Sequence, residues 1–336
     1  MIGLDMGAKF TKACSVVTKS DGTYIVYAAM LSSDLKFEKS GEELQIKDKI
    51  KRLTNQLKSK DNVAVLSASD VDLIFRDFSF PHGLSGEHLR GAVMLEAENS
   101  IFENINNFYS GYQELPDIST ESTDVLFVAS SKEKIDKKLA GLSLAEIKVK
   151  GVGVDNIALA NSFITFNSAK ASGSVMVIDI GHEVSKIIVI DRGRLVFMRN
   201  ASFGGKYITD EIAMAYEVSY YVAEQIKRQP EVWGQIGLNI KNILKKSSND
   251  LIEAVFRSME YCISKQKVSK FDEIFITGGG AMLRSLDNFI WETLGVNTVK
   301  WNPFESDIIR GVYNADKGFF IPVALGLAVT KEMDNV

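Results

Sequence analysis

The sequence predicts an α/β protein of two lobes with related topology, and three observations support this prediction. The chain has 336 residues, enough for two hydrophobic cores at the usual size of about 150 residues per domain. An Asp-x-Gly turn between two strand-like runs occurs at Asp5–Gly7 and again at Asp179–Gly181. A third glycine turn, Gly278–Gly280, lies between a strand-like run and a helical pattern.

The two Asp-x-Gly turns belong to a repeated unit. Each copy continues through β-branched residues to a second turn, "SDG" in the first and "DRG" in the second, and then to a third strand-like run. Asp-x-Gly is common by chance, but two copies in the same strand-turn-strand unit favour a duplicated fold over two unrelated hairpins. A shift of 174 positions superposes Asp5 on Asp179, Gly7 on Gly181, Thr11 on Ser185 and Lys12 on Lys186.

These turns carry the residues that a phosphate-binding hairpin needs. Glycine can adopt φ > 0 and places no side chain in the way of a ligand, and successive backbone N–H groups form a concavity suited to anionic oxygens. A carboxylate would repel a phosphate unless Mg²⁺ lay between them. We therefore expect Asp5 and Asp179 to bind the metal, Gly7, Ala8 and Lys9 to bind a phosphate, and the two hairpins together to clamp a nucleotide polyphosphate.

The third glycine turn follows a strand signal that ends at Thr277. A glycine turn that opens a helix presents backbone N–H groups and the positive helix end to a ligand, so we expect Gly278, Gly279 and Gly280 to bind the adenosine part of the nucleotide. A tight strand-to-helix connection without a ligand is the alternative. The helical pattern consists of Leu283, Leu286, Phe289, Ile290 and Leu294.

Composition excludes several classes of function. The net charge of −4 gives no basic footprint for nucleic acid. Cys14 and Cys262 lie far apart in apolar segments, which favours reduced core thiols in a cytoplasmic protein over a disulfide framework or a metal site. The longest apolar run, 11 residues from Phe319, is too short for a membrane span of about 20. Any membrane role should therefore act through a partner.

The three turns, in this order, resemble those of the actin/Hsp70/sugar-kinase ATPase superfamily. Further segments are similar to one branch of it, which comprises FtsA and the type IV pilus PilM family. The match to the PilM family extends over nearly the whole chain. Its segments are Leu89–Leu115, Val125–Asn161, Phe203–Arg228, Trp301–Phe304 and Ile321–Val329.

The resemblance implies a two-lobed actin-like ATPase fold of duplicated ribonuclease-H-like domains, with ATP between the lobes and a small α/β subdomain inserted in the first. The first-lobe core would be residues 1–81, the insert 82–150 and a connecting helix 151–173. The second lobe would be residues 174–310, with a smaller subdomain at about 207–270, and residues 311–336 would return to the first lobe.

The resemblance also bears on the roles of individual residues. Glu224 and Lys227 would reach the ribose and adenine, although a solvated ion pair on a helix face is the alternative. Asp155 would lie beside the phosphates and is the catalytic candidate, because it would contact the metal ion or the attacking water. Helix capping is the alternative role. Lys9 either reaches a phosphate or is solvated. The remaining phosphate-region candidates are Gly181, His182, Ser185, Gly205 and Lys206.

The function that the resemblance implies is an ATP-binding scaffold of the type IV pilus inner-membrane platform. It would bind ATP and Mg²⁺, hydrolyse ATP slowly at most, and use its insert to bind the cytoplasmic N-terminal peptide of a bitopic, PilN-like membrane protein. Other platform or motor proteins are further expected partners, and a homo-oligomer is left open. We expect a cytoplasmic protein held at the inner face of the membrane by partners, without direct membrane insertion.

Two alternatives belong to the same superfamily. An FtsA-like cell-division filament protein would attach to membrane by an amphipathic C-terminal helix, whereas this sequence ends at "TKEMDNV" after its last core-like helix. A small-molecule kinase would need an aspartate base in line with the γ-phosphate beside a hydroxyl pocket. No motif for such a site is evident in the sequence.

Overall fold

Two compact units make up the chain. The computed structural model describes residues 1–33, 41–57, 61–68, 73–101, 104–114, 122–265, 268–311 and 315–330. The first unit comprises Met1–Val16, Tyr27–Asp155 and Leu327–Val336, and the second comprises Val17–Val26 and Asn156–Gly326. The end of the sequence, "KEMDNV", on which the comparison with FtsA depended, lies outside the described residues.

The first unit is built on a mixed sheet with helices packed on it. Ile2 and Leu4 are fully buried at its centre, against Ile50 and Leu142 of two helices. The strands of this sheet are β1 (Ile2–Met6), β2 (Phe10–Thr18), β3 (Tyr24–Ser32), β4 (Val63–Ser67) and β8 (Lys148–Gly153), in the order β3-β2-β1-β4-β8, and the helices are α1 (Glu42–Gln56) and α3 (Lys132–Leu144). A short further strand, β14 (Ile309–Arg310), pairs with Tyr24 and Ile25, which belong to the second unit.

A smaller antiparallel sheet has its own core within the first unit. It consists of β5 (Ile74–Pro81), β6 (Phe108–Glu114) and β7 (Ser122–Ser131), in the order β5-β7-β6. Helix α2 (Gly86–Ser100) covers one face with its apolar stripe. The buried residues of this core include Leu89, Val93, Ala97, Phe80, Val125 and Phe127.

The boundaries of this small sheet differ from those of the predicted insert at residues 82–150. The sheet begins eight residues earlier, at Ile74. At the other end, α3 packs Leu142 into the core of the larger sheet, and β8 pairs in parallel with β4. The segment after Ser131 is therefore part of the main layer of the first unit, because its apolar residues complete that core.

The second unit repeats the strand order of the first. Its sheet runs β11-β10-β9-β12-β13, so both units place an antiparallel hairpin beside a parallel fourth and fifth strand. This confirms the duplicated α/β fold. The strands are β9 (Ser174–Ile180), β10 (Ser185–Asp191), β11 (Arg194–Ala201), β12 (Glu273–Thr277) and β13 (Thr298–Lys300).

Helices surround the second sheet and bury its apolar side chains, among them Ile178, Ile208 and Val255. Helix α4, predicted to connect within the first lobe, groups with the second unit from Asn156 onward, as does the chain up to Gly326. No described helix is both long and apolar enough to cross a membrane. The helices from α4 are α4 (Asp155–Phe166), α5 (Ser168–Ala171), α6 (Gly205–Tyr216), α7 (Tyr220–Arg228), α8 (Gly234–Ser247), α9 (Asn249–Ser264), α10 (Leu286–Leu294) and α11 (Pro322–Val329).

Candidate functional site

The two Asp-x-Gly turns carry the same carboxylate–lysine pair. In the first hairpin Asp5 is opposite Lys12, and the Lys12 Nζ lies 2.5 Å from the Asp5 Oδ2. In the second, Asp179 is opposite Lys186, with Nζ and Oδ2 3.3 Å apart. Asp5 and Asp179 are only 1% and 8% exposed. The repeat aligns these two lysines in the sequence, but their pairing with the carboxylates becomes evident only in the structure.

The glycines of these turns are needed for close approach, not for positive φ. Gly7 and Gly181 both lie outside the set of glycines with positive φ, which corrects the expected left-handed conformation. A Cβ at Gly181 would lie 2.6 Å from the carbonyl oxygen of Val184, and one at Gly7 would lie 3.2 Å from that of Phe10. A side chain at Gly181 would therefore force the second turn to shift, whereas one at Gly7 would need the Phe10 carbonyl to give by only a few tenths of an ångström.

Ser33, which follows β3, holds the first turn in place. Its hydroxyl donates to the carbonyl of Gly7 (2.7 Å), and its backbone N–H donates to that of Lys9 (2.9 Å). Ala8 is exposed at the tip, and Lys9 is half-buried. The carbonyl groups of Gly7 and Lys9 are therefore used within the protein, and the tip itself faces solvent.

The second turn is tied to the start of α6. Gly205 and Lys206 donate their backbone N–H groups to the carbonyls of Gly181 (2.9 Å) and His182 (2.7 Å). The Lys206 ammonium pairs with the half-buried Asp210, 2.9 Å away on the next helical turn. The buried Ser185 donates its hydroxyl to the carbonyl of Phe203 (2.8 Å), so this side chain ties β10 to the segment between β11 and α6. His182 remains half-buried, with its Nε2 3.5 Å from the Tyr220 hydroxyl.

Glu224 and Lys227 form an ion pair beside the first turn of α6. The Lys227 Nζ lies 2.7 Å from the Glu224 Oε2 and donates to the Gly205 carbonyl (2.8 Å) and the Thr209 hydroxyl (2.7 Å). Arg228 donates its Nε to the other carboxylate oxygen (2.9 Å). The side chains of Glu224 and Lys227 are only 13% and 9% exposed. This pair is therefore withdrawn from water, unlike the solvated pair considered as the alternative.

The environment of Glu224 favours its ionised form. Burial by itself raises the pKa of this carboxyl, but the hydrogen bonds and charges of Lys227, Thr209 and Arg228 outweigh burial and lower the pKa to about 2, from 4.5. Because the folded-state pKa lies below the unfolded value, the stabilisation is present above pH 4.5 and is lost as the pH falls toward 2.

Replacing Glu224 by glutamine should therefore destabilise the second unit in a pH-dependent way. We expect a loss of about 1–3 kcal/mol at pH 7, because Lys227 would lose its charged partner, and a smaller loss at pH 3. Urea unfolding followed by tryptophan fluorescence measures this. Glu253→Gln, at an exposed ion pair with Arg257, is the control and should cost less than about 0.5 kcal/mol. A loss for Glu224→Gln that is the same at both pH values would contradict the assigned pKa.

The third glycine turn lies directly beside the second Asp-x-Gly turn. Strand β12 runs parallel to β9, with Thr277 opposite Asp179. Gly278 has φ of +82°, and a Cβ there would collide with the Asp179 carboxylate and the main chain of Ile180. Gly280 packs as closely against the Ile180 side chain. The structure therefore brings Asp179 and this glycine turn together within the second unit.

The expected helix after this turn begins later than predicted. Gly279–Met282 form a short 3₁₀ turn, and α10 starts only at Leu286. Leu283 adopts an extended backbone, and Ser285 is left-handed with φ of 63°. These two conformations interrupt the helical path, so the glycines do not present the end of an α-helix to a ligand.

Asp155 is the first residue of α4 and is fully buried. The Ser67 hydroxyl, at the end of β4, donates to its Oδ1 (2.5 Å). A carboxylate in the first helical turn is also favoured by the helix dipole. Asp155 is therefore anchored at the first position of α4, and both its capping role and its catalytic role stay predictions.

The carboxylates at these turns suit a metal ion that is bound mainly through the phosphates of a bound substrate. Within the described ranges, no three His, Cys, Asp or Glu side chains converge to form a metal site by themselves. Mg²⁺ commonly keeps several waters and binds one or two carboxylates together with substrate phosphates. A single buried carboxylate beside a tight glycine turn, as at Asp179, fits that mode of binding.

The duplicated sheets with their carboxylate turns define an actin-like ATPase fold. The chain belongs to the type IV pilus assembly protein PilM family, whose model matches residues 3–331. A chain of a solved PilM–PilN type IV pilus biogenesis complex is 23% identical, with a TM-score of 0.81, over 98% of this chain and 97% of that one. The ethanolamine utilization protein EutJ from Carboxydothermus hydrogenoformans is 16% identical, with a TM-score of 0.52, over 98% and 88% of the two chains.

Two further proteins are similar to this chain. MreB5 of Spiroplasma citri, solved with bound ADP, is 13% identical, with a TM-score of 0.50, over 97% of this chain and 94% of that one. The cell division protein FtsA of Staphylococcus epidermidis is 34% identical over 86 residues, which are 24% of this chain and 18% of FtsA. The matched region is thus less than a fifth of the length of that curated relative.

Proposed function

We propose that this pilus assembly protein is an ATP-binding scaffold that binds the cytoplasmic N-terminal peptide of a PilN-like membrane protein. The observation that carries the nucleotide part is the second unit's arrangement of Asp179, Lys186 and the glycine turn at Gly278. The family and the similarity to a PilM–PilN complex support the partner. The protein would lie at the inner face of the cytoplasmic membrane through that partner and other platform or motor proteins.

The phosphates would bind at the two Asp-x-Gly turns. Asp5 and Asp179 are the proposed carboxylates for Mg²⁺, which would neutralise phosphate charge beside them. The second-turn backbone and the Lys186 ammonium supply donors and positive charge for oxygens. The proposed residues at the phosphates are Gly7, Ala8, Lys9, Gly181, His182, Ser185, Gly205 and Lys206, and those at the nucleoside are Glu224, Lys227, Gly278, Gly279 and Gly280.

ATP hydrolysis should be slow. Efficient hydrolysis needs a positioned attacking water in addition to electrostatic stabilisation. Asp155 is the proposed residue for that role, but its carboxylate is fully buried and already accepts from Ser67. We expect steady-state phosphate release far below the typical enzyme rate of about 10 s⁻¹. A rate near that value for the isolated protein would contradict a role of ATP as a structural ligand.

The proposed peptide site is the small sheet of the first unit. Among the described strands of that sheet, β6 lies at an edge, with Tyr109, Ser110 and Gly111 exposed. A sheet edge can bind an extended peptide through main-chain hydrogen bonds, with side-chain pockets adding specificity. ATP binding that stiffens the protein would lower the ordering cost of the peptide, a coupling of about 1–3 kcal/mol.

A fluorescent peptide with the N-terminal sequence of the PilN homologue from the same operon tests the scaffold. We expect saturable binding to the ATP-loaded protein and no binding after residues 74–131 are replaced by a short Gly-Ser linker. This replacement leaves α3 and β8 in the core of the first unit. Retained ATP binding and circular dichroism would show that the variant is folded. Binding that survives the replacement would disprove this location, and no binding by the intact protein would favour the FtsA-like filament instead.

A further inference from the structure

Lys186 lies between two acceptors on one face of the second sheet. It is opposite Asp179 on β9 and opposite Asn200 on β11. Directly opposed residues in antiparallel strands have Cβ atoms about 4.5–5.5 Å apart and point to the same face. The lysine side chain is therefore within reach of both neighbours, and its Nζ is hydrogen-bonded to Asp179.

The second neighbour has a vacant acceptor. The Oδ1 of Asn200 is buried, and within the part of the chain that the structure describes it has no hydrogen-bond partner. A buried acceptor without a partner is unfavourable. The Asn200 amide oxygen therefore offers a second acceptor for the Lys186 ammonium, which is bonded to Asp179.

The ion pair itself also calls for an explanation. The Lys186 and Asp179 side chains are 15% and 11% exposed, so much of their hydration is lost. Buried ion pairs often contribute little net stability compared with apolar residues of the same size. The desolvation cost of this pair is explained if the bond between the Lys186 ammonium and the Asp179 carboxylate serves the function of the site.

We infer that Lys186 is a two-position counter-ion that keeps divalent cations away from Asp179 until nucleotide binds. Without nucleotide the ammonium neutralises the carboxylate, and a metal ion would have to displace it against charge repulsion. Phosphates add negative charge at the turn, which favours a metal ion at Asp179 and moves the ammonium toward Asn200 Oδ1 and the phosphate oxygens. The inference rests on the proposed nucleotide site, and it makes Lys186 a positioning residue for the order of binding.

The first hairpin provides an internal comparison. Lys12 pairs with Asp5 in the same register, but β3, the counterpart of β11, has no amide or carboxylate side chain along Tyr24–Ser32. The two-position arrangement is therefore specific to the second hairpin. In both hairpins the lysine ammonium is bound to the carboxylate and would hinder a metal ion there. Of the two lysines, Lys186 is the one with a second acceptor on the neighbouring strand.

Mn²⁺ binding to the nucleotide-free full chain tests the inference without ATP. Electron paramagnetic resonance counts the free ion, and we expect the wild type to bind no Mn²⁺ at a concentration where Lys186→Met binds about one equivalent, at least tenfold more tightly. Lys186→Gln, which keeps a polar side chain, should behave in the same way if Lys186→Met folds poorly. The double variant Asp179→Asn/Lys186→Met should bind none. Equal Mn²⁺ affinity of the wild type and both single variants would overturn the inference.

ATP titrations separate this inference from the proposed function. Asn200→Leu should lower the affinity for Mg–ATP several-fold more than the affinity for ATP in chelator, because the displaced ammonium loses its acceptor. Equal losses in the two conditions would remove Asn200 from the mechanism. A protein that binds no ATP in any condition would refute the nucleotide proposal. The Mn²⁺ titration would still decide whether Lys186 keeps divalent cations away from Asp179.

Discussion

Replacing Asp179 by alanine is expected to weaken Mg–ATP binding by at least about tenfold, which corresponds to about 1.4 kcal/mol. The variant removes the buried carboxylate beside the turn of the second hairpin, and it also releases Lys186 from its ion pair. The metal ion of the bound nucleotide loses a ligand, whereas the phosphates gain the positive charge of Lys186, which Asp179 no longer neutralises. Isothermal titration calorimetry with ATP in Mg²⁺ and in chelator distinguishes the two effects.

The ratio of the two affinities is the more informative result. We expect the advantage of Mg–ATP over metal-free ATP to shrink in Asp179→Ala, because the metal ion loses one carboxylate and metal-free ATP no longer meets the charge of Asp179. Glu292→Ala, at an exposed position on α10, makes the same change in net charge and should alter neither affinity. If Asp179→Ala keeps the wild-type affinity and metal dependence, Asp179 does not bind the metal.

The same titration applies to Asp5→Ala in the first unit. Asp5 is almost fully buried and bonded to Lys12, so its loss should also lower the stability of the first unit. Unfolding curves must therefore accompany the calorimetry. Weaker Mg–ATP binding at a temperature where the variant is fully folded is the expected outcome.

Much of the fold was predictable because the sequence contains the same strand-turn-strand unit twice. Asp5 and Lys12 have the same spacing as Asp179 and Lys186, and in both copies this spacing becomes direct opposition across a hairpin. The matched strand orders follow from the same duplication. The role of the lysines was missed because a spacing of seven residues acquires meaning only when the position of the turn fixes which residues face each other.

Other features depend on contacts that no local pattern contains. The apolar spacing from Leu283 to Leu294 suggested one helix, but the left-handed Ser285 delays α10 to Leu286. Asn200 was not selected because its significance comes from Lys186 on the neighbouring strand. Glycine is needed at Gly278–Gly280 because neighbouring parts of the chain pack too closely for a Cβ at each position. Their contact with adenosine stays a separate prediction.

Substituting Gly278 by alanine should strongly destabilise the second unit. Its backbone, with φ of 82° and ψ of 172°, is in a region that is essentially restricted to glycine and costs other residues of order 1–3 kcal/mol. A Cβ would in addition lie 2.5 Å from the carbonyl oxygen of Ile180, and β9 can move only at the expense of its pairing with β12. Overpacking of this kind costs about 1–3 kcal/mol, so we expect a total loss of about 3 kcal/mol or more.

Gly295→Ala is the matched control for this substitution. Gly295 also has positive φ, at +70°, but nothing lies within 4 Å of a Cβ placed there. Its left-handed conformation alone should cost about 1–2 kcal/mol. All three tryptophans, Trp233, Trp291 and Trp301, belong to the second unit, so fluorescence-detected urea unfolding reports on that unit. Equal losses for the two variants would mean that β9 yields to the added methyl group, and that the close packing of Gly278 against Asp179 and Ile180 is not what requires glycine there.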